Sequence, residues 1–464
     1  MSELYPSTGS SGRFSEFWTN AKNRIIGWLS DPASPEARAA AVREYSFSEA
    51  LSHYEGTQPP VLKIDPRYPI DDNIFVNYPE MIVDRGVTFL FGSGVDISVD
   101  DREAQKLLWE LWPWEQMQED LLELATDGAI FGDAWMKVRI NEDLVPEVLT
   151  LDPSRWFKIT DPDDYRRIRA YRCQYRKSDG RLYRQEIRQD ASAGWMIEEL
   201  ESLDGKRFYQ IAEPVSWPFA FSPVMTCKNL PKSKSPYGRP DLTRPVLALC
   251  RYIARTDSLI GKIVRVHGSP KAYATGISRQ DLEIGVDTTI FLKNPDATLN
   301  LLEMKGDLAG ALAFRAQLRQ SLAEVSKVPE IASGNLDRIG QLSGRAMQIL
   351  YGPLIKQTEQ KRRLYGRLIQ NAVRGLLAAG GVKNAERLTI ELQWPAALPP
   401  DPREEAELGL IYQQLGVSND TILARLGFDA EFEKVRRAEQ DALADERRER
   451  LFNAGSVPGS GLYA

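Results

Sequence analysis

The stretch from Asp241 to Gly380 constrains the fold more than any other part of the chain, because its elements follow an uncommon order. It reads as an amphipathic helix, a compact strand-rich insert, a second helix, a Gly/Ser loop and then a very long helix. Asp241 and Thr243 can cap the first helix, and Pro245 falls in its first turn, where no backbone donor is needed. Leu242, Val246, Leu249, Ile253 and Ile260 recur at helical spacing. Arg244, Arg251, Arg255, Lys262 and Arg265 line a second, basic face. Gly268, Ser269 and Pro270 end the helix.

The insert, Lys271 to about Leu302, holds short strands at Lys271–Thr275, Thr288–Lys293 and Ala297–Leu302, with Ser278 and Asp281 opening a helical turn between the first two. A second helix follows, with Phe314, Leu318, Leu322 and Val325 on one face, and ends by Pro329. The segment Ile331 to Ser343 is too polar and glycine-rich for a core element. Ser343 caps the next helix, which runs to Gly380-Gly381, about 57 Å at the usual rise. Pro353 inside it removes a backbone hydrogen bond, and a kink is expected there.

This order of parts resembles the portal proteins of tailed bacteriophages. Asn229-Leu-Pro-Lys-Ser-Lys-Ser-Pro-Tyr-Gly-Arg-Pro-Asp-Leu242 is similar to the family's entry into its first stem helix. The insert resembles the clip, and Ala309 to Val328 the returning stem helix. Ser333 to Ala346 resembles the tunnel loop that leads into the long kinked helix. Leu392-Gln-Trp-Pro395 and Leu398 to Glu405 resemble the strand and acidic opening that precede the crown, and Leu415 to Ile422 and Glu433 to Glu439 the family's last helices. The resemblance spans roughly Asn77 to Leu451 and rests on order and spacing, not on one fingerprint.

The resemblance implies an α+β ring subunit. Its parts are an N-terminal arm with helices (1–70), a mixed α/β wing (71–240), stem helices at 241–268 and 307–328 and a small clip (269–306) between them. A tunnel loop (329–342), the long kinked helix with a wing strand (343–400), an α-helical crown (401–452) and a flexible tail (453–464) complete it. It implies a homododecamer at one capsid vertex of a virion, assembled in the host cytoplasm. Double-stranded DNA would pass its channel in packaging and ejection. Expected partners are the terminase large subunit, a head-tail adaptor, the major capsid protein and a scaffold. Asn335, Leu336, Asp337, Arg338 and Gln341 of the tunnel loop would face DNA, and Gly334, Gly340 and Gly344 would let the loop reshape. Lys271, Arg279, Asp281, Glu283 and Lys293 of the clip would dock partners. The basic stripe Arg244 to Arg265 either looks into the channel or pairs with acids of the adjacent subunit, and the second reading is preferred. Deleting Asn335 to Arg338 is expected to spare assembly and impair packaging. Charge reversal at Lys271, Arg279 and Lys293 is expected to weaken motor and adaptor contacts.

Composition agrees with a conduit. The formal net charge of the 464 residues is −6, whereas a protein that grips DNA shows a basic excess on its binding surface. In a dodecamer that charge becomes about −72, enough to shape a long-range field. No apolar run approaches the length that spans a bilayer. Cys173, Cys227 and Cys250 are odd in number and far apart, which fits a reducing compartment without disulfides or a zinc site. His53 and His267 have no companion ligands, so structural or exposed roles are expected.

Elsewhere, Phe14 to Leu29 can form an amphipathic helix, read as packing on the protein's own body, with membrane-surface binding the alternative. Ala37 to Glu49 is helical, and Pro59 to Pro69 is a linker. A strand is expected to end at Phe91-Gly-Ser-Gly94, a tight turn and not a phosphate cradle. Glu115 to Asp127 reads as a helix and Ala134–Val138 and Val148–Leu151 as strands. An antiparallel sheet is expected from Trp156–Ile159, Ala170–Tyr175, Arg184–Ile187 and Phe208–Ile211, with Asp204-Gly205 as a hairpin between the last two. Its Tyr and Trp residues are read as core or interface aromatics, and nucleic-acid stacking as the rival. Asp401 to Leu451 is helical and charge-dense.

No hydrolase elbow, zincin or Walker motif occurs. The clusters Asp71-Asp72, Asp96/Asp100/Asp101 and Asp161/Asp163/Asp164 sit in turns, none paired with a Lys or His that could serve as a base, so neither an active site nor a cofactor is expected. The rival readings are a metal-dependent DNA-processing enzyme, which would cut plasmid DNA until chelated, and a peripheral membrane scaffold using Phe14 to Leu29.

Overall fold

A computed structural model describes residues 35–64, 66, 69–161, 163–190, 194–205, 207–267, 271–276, 296, 298–302, 308–329, 344–397, 402–425 and 430–454. The expected helix at Phe14 to Leu29, the strand Thr288–Lys293, the turn at Ser278 and the tail beyond Gly455 lie outside the described residues. Two compact units result: Met1–Gln341 with Leu350–Ala397, and Leu342–Ile349 with Leu398–Ala464.

In the first unit, α1 (Pro35–Tyr54) sets Phe47 edge-on against Phe131 with ring centroids 5.0 Å apart. Asn77 caps α2 (Tyr78–Phe91) by accepting from Glu80 N, and Pro79 sits in its first turn. The chain up to Phe91 is therefore helix, not the expected strand. Tyr78, Ile82, Val83, Val87 and Leu90 recur at helical spacing and all are buried. The strand comes after the turn: Gly94 (φ +80°) reverses the chain into β1 (Asp96–Val99). Asp101 caps α3 (Arg102–Leu111). Helix α4 (Trp114–Phe131) carries Met117, Leu121 and Leu124 inward and stops at Gly132, whose φ of +92° an L side chain rarely adopts.

Strands β2 (Asp133–Ile140) and β3 (Pro146–Thr150) follow as a hairpin. An antiparallel sheet is then built from β4 (Trp156–Thr160), β5 (Ile168–Arg176), β6 (Leu182–Asp190), β7 (Gly194–Ser202) and β8 (Tyr209–Gln210), with β9 (Val215–Trp217) also on β7. Strand β7 corrects the sequence reading, since Asp204-Gly205 joins it to β8. Its run of glutamates has low strand propensity. In register those glutamates meet partners on β6 and its flank: Arg188 donates to Glu198 at 2.6 Å, Gln185 to Glu199 at 2.9 Å, and Lys177 pairs with Glu201. Strand β10 (Val224–Lys228) completes a second sheet in the order β10-β2-β3. Trp135, Trp156, Tyr171 and Trp195 form a chain of ring contacts at 5.9 to 6.2 Å linking the two sheets.

Helix α5 (Arg244–His267) leads to an antiparallel hairpin of β11 (Lys271–Thr275) and β12 (Thr298–Leu302), and α6 (Ala309–Ser326) returns along α5. The long helix α7 (Gly344–Ala379) is 36 residues, about 54 Å, and continues through Pro353. From Leu354 to Leu377 it is the core helix of this unit, with Leu368, Ile369, Ala372, Val373, Leu376 and Leu377 all buried. Beyond it β13 (Ile390–Gln393) pairs antiparallel with β1, which ties the chain after the long helix to the strand near the start of the body.

The second unit contains α8 (Pro402–Gln414), α9 (Asn419–Arg425) and α10 (Ala430–Ala454), with Lys434 Nζ 2.6 Å from Asp420. Its helices are charged and largely exposed, as their mixed-sign sequence predicts.

Candidate functional site in the helical stem and its junction

Helix α5 is reached through the segment Asn229 to Asp241, which is held from both sides. On the side of β2 and β4, Lys158 Nζ lies 2.7 Å from the Asp133 carboxylate and donates to Pro236 O, while Gly238 N donates to both Asp133 oxygens. Lys158 N donates to Tyr237 Oη, and the Arg43 guanidinium stacks over the Tyr237 ring at 4.1 Å. Arg43 also donates to Trp156 O and Pro153 O. Burial pulls the Lys158 and Arg43 pKa values down, against the opposing attraction of Asp133. Gly238 has no room for a side chain, since a Cβ there would lie 2.2 Å from Gly132 O.

On the other side the Asp241 carboxylate does not cap the stem helix. It accepts from Asn229 and Gln357 and pairs with Lys361 Nζ at 2.5 Å, side chains 6% and 4% exposed. Tyr365 Oη donates to Asn229 Oδ1 at 3.1 Å, and burial raises its pKa well above the ordinary value. The helix itself starts from Thr243, whose carbonyl accepts from Leu247 N. Sequence reading missed Lys361, Asp133 and Lys158. The signal for Lys361 was present: Leu354, Thr358, Lys361, Tyr365 and Leu368 form one helical stripe, and a lysine in it needs a buried acid.

On α5, Val246, Leu247, Cys250, Ile253, Ala254 and Ser258 are buried. A second stripe, Leu249, Tyr252, Thr256, Leu259, Ile263 and Val266, follows the alternating four-and-three spacing of a coiled-coil seam. It lies away from the buried stripe and is half-buried or exposed throughout, with Tyr252 at 43% and Leu259 at 42%. Helix α6 repeats this with Ala311, Phe314, Leu318, Ser321 and Val325. Leu322 is buried, whereas Phe314 and Val325, read from the sequence on the same face, are 51% and 46% exposed. Within the stem, Arg315 pairs with Asp257, which raises the arginine's pKa.

The predicted basic stripe divides. Arg251 donates to Glu49 on α1 at 2.9 Å, and Arg265 grips Asp72. Both therefore pair within their own chain. Arg244, Arg255 and Lys262 are exposed, and Arg255 has no ion-pair partner among the described residues. Lys271 opens β11. Arg279, Asp281, Glu283 and Lys293, and the loop residues Asn335, Leu336, Asp337, Arg338 and Gln341, lie outside the described residues. His53 is buried with Nδ1 2.8 Å from Glu49 O, a structural role. Among the described residues no cluster of acids, cysteines and histidines is arranged to hold a metal, and no helix is long and apolar enough to cross a membrane.

This fold has known counterparts. The neck of an empty GTA particle, computed with C6 symmetry, superposes with a TM-score of 0.50 at 13% identity, covering 82% of this chain and 93% of that one. The neck of the native gene transfer agent particle, computed with C12 symmetry, gives 0.48 at 12% identity over 88% and 99% of the two chains. No curated protein matches the sequence. Residues 47–189 and 279–450, well over half of the chain, match the family described as phage portal protein, SPP1 Gp6-like. The chain thus belongs to that family of phage portal proteins, and its function is that of a portal, or connector.

Proposed function

We propose that copies of this chain, twelve in the closed form, make a ring at one capsid vertex, assembled in the host cytoplasm, through which double-stranded DNA is packaged and ejected. The observation that carries this reading is the pair of half-exposed seams on α5 and α6. One subunit leaves Tyr252, Leu259, Phe314 and Val325 in water, and an antiparallel α6 from a neighbour would cover the α5 seam by coiled-coil packing. Two different surfaces on one subunit make a heterologous contact, which closes into a ring when its rotation divides a full turn and it adds no rise.

In this reading Asn335, Leu336, Asp337, Arg338 and Gln341 face the DNA. Lys271, Arg279, Asp281, Glu283 and Lys293 meet the terminase large subunit first and the head-tail adaptor later, and the wing meets the major capsid protein and its scaffold. Arg244, Arg255 and Lys262, left over from the intrachain pairs, bind acids of the adjacent subunit. The work is mechanical, without catalysis or cofactor. Substituting Leu259→Asp together with Phe314→Asp tests it. The variant is expected to keep its helical circular dichroism and to lose the high-mass species. A variant that assembles like the parent contradicts the seam.

A further inference from the structure

We infer that the two buried ion pairs, Lys158–Asp133 and Lys361–Asp241, fix the direction of the stem helix relative to the wing and so determine the number of subunits at which the ring closes. The inference rests on the ring reading given above.

Both pairs have both side chains less than a tenth exposed, unlike the other ion pairs among the described residues. Both also act on the same short segment, Asn229 to Asp241. One pair holds its Pro236–Gly238 turn to the wing, and the other holds Asp241, three residues before the stem helix, to the long helix. Close packing reinforces the second hold. A Cβ at Gly128 would fall 1.8 Å from Tyr365 Oη, and one at Gly86 would fall 3.3 Å from the Asp241 carboxylate.

A buried pair is a poor source of stability, because desolvating two charges offsets most of their attraction, and apolar side chains of like volume serve as well. What a buried pair supplies is geometry: each charge must meet its partner, so only one placement is tolerated. A ring makes that placement consequential. Each step turns by about 30° with twelve subunits and by about 28° with thirteen. The neighbour docks on the stem seam, so a stem direction free by a few degrees admits more than one closure. Stem direction is set in Asn229 to Asp241, where both pairs act.

The test compares the full-length protein with Asp241→Asn/Lys361→Met, which removes both charges while keeping an oxygen for Gln357 and Asn229. Native mass spectrometry reads the subunit count, and thermal melting reads the fold. The variant is expected to melt near the parent temperature and to spread over two or more counts where the parent shows one. The same count distribution in a folded variant overturns the inference. Should this variant fail to fold, Asp133→Asn/Lys158→Met at the other clamp is read by the same criterion. A parent that forms no ring refutes the ring reading itself, which is a separate outcome from unchanged counts.

Discussion

Arg265, in the last turn of α5, holds Asp72 through two parallel hydrogen bonds of 2.6 and 2.7 Å. Beside this contact, the chain entering α2 lies along the stem. Ile74 N donates to Ser258 Oγ at 2.9 Å, and the Ile74 side chain fills the space that Gly261 leaves open. The residues just after the linker expected at Pro59 to Pro69 are thus a strap fastened to α5.

The strap's two fastenings should differ in weight. Arg265 and Asp72 form a solvent-screened pair, so Asp72→Ala is expected to change thermal stability little, and less still at high salt. Ser258 is fully buried. Ser258→Val leaves Ile74 N without its partner and is expected to cost about 1–3 kcal/mol in urea unfolding, with faster amide exchange at residues 72–76. Equal effects of the two substitutions would contradict this ranking.

Gly128 and Tyr365 are matched by shape. Gly128→Ala would push against a fully buried tyrosine and is expected to destabilise by about 2 kcal/mol or more. Tyr365→Phe removes the clashing oxygen along with its hydrogen bond to Asn229. The double variant should therefore lose less than the two single losses added together, a coupling that denaturant titration of all four proteins reads directly.

These two sites show what the sequence could and could not reveal. The order of helices and strands from Asp241 onward was legible because the periodicity of α5, α6 and α7 is local and their ends carry breakers. The strands β11 and β12 were legible as short runs, but their pairing was not. Strand β7 was hidden by its glutamates, whose partners on β6 and beside it become visible only once the register is known. Helix α2 was misread at its end because Phe89, Leu90 and Phe91 satisfy either period. The clamps were legible only in part: the stripe on α7 marks Lys361 as needing a buried acid, but Asp133 and Lys158, like Asp241 and Lys361, are far apart in sequence, and nothing local names the partner. The seam on α5 was read only as far as its buried stripe, because Tyr252, Leu259 and Val266 are exposed in one subunit.

Asp127, half-buried on α4, titrates out of its normal range. Burial, together with the negative Asp152 and Glu123, raises its pKa to about 8 from 3.8. The folded protein therefore keeps a proton that the unfolded chain has released, and stability falls as pH rises from about 4 to about 8. Asp127→Asn should melt with the parent at pH 4 and a few degrees above it at pH 8. A constant difference across that range would contradict the assignment.

The central claim is that this subunit closes into a ring on its half-exposed stem. Native mass together with end-on electron microscopy of the purified protein tests it most directly. The account predicts a ring near 630 kDa, about twelve times the 52.4 kDa chain, with a central hole wider than a DNA duplex. A monomer or dimer at micromolar concentration, with the stem seams still in water, would contradict it.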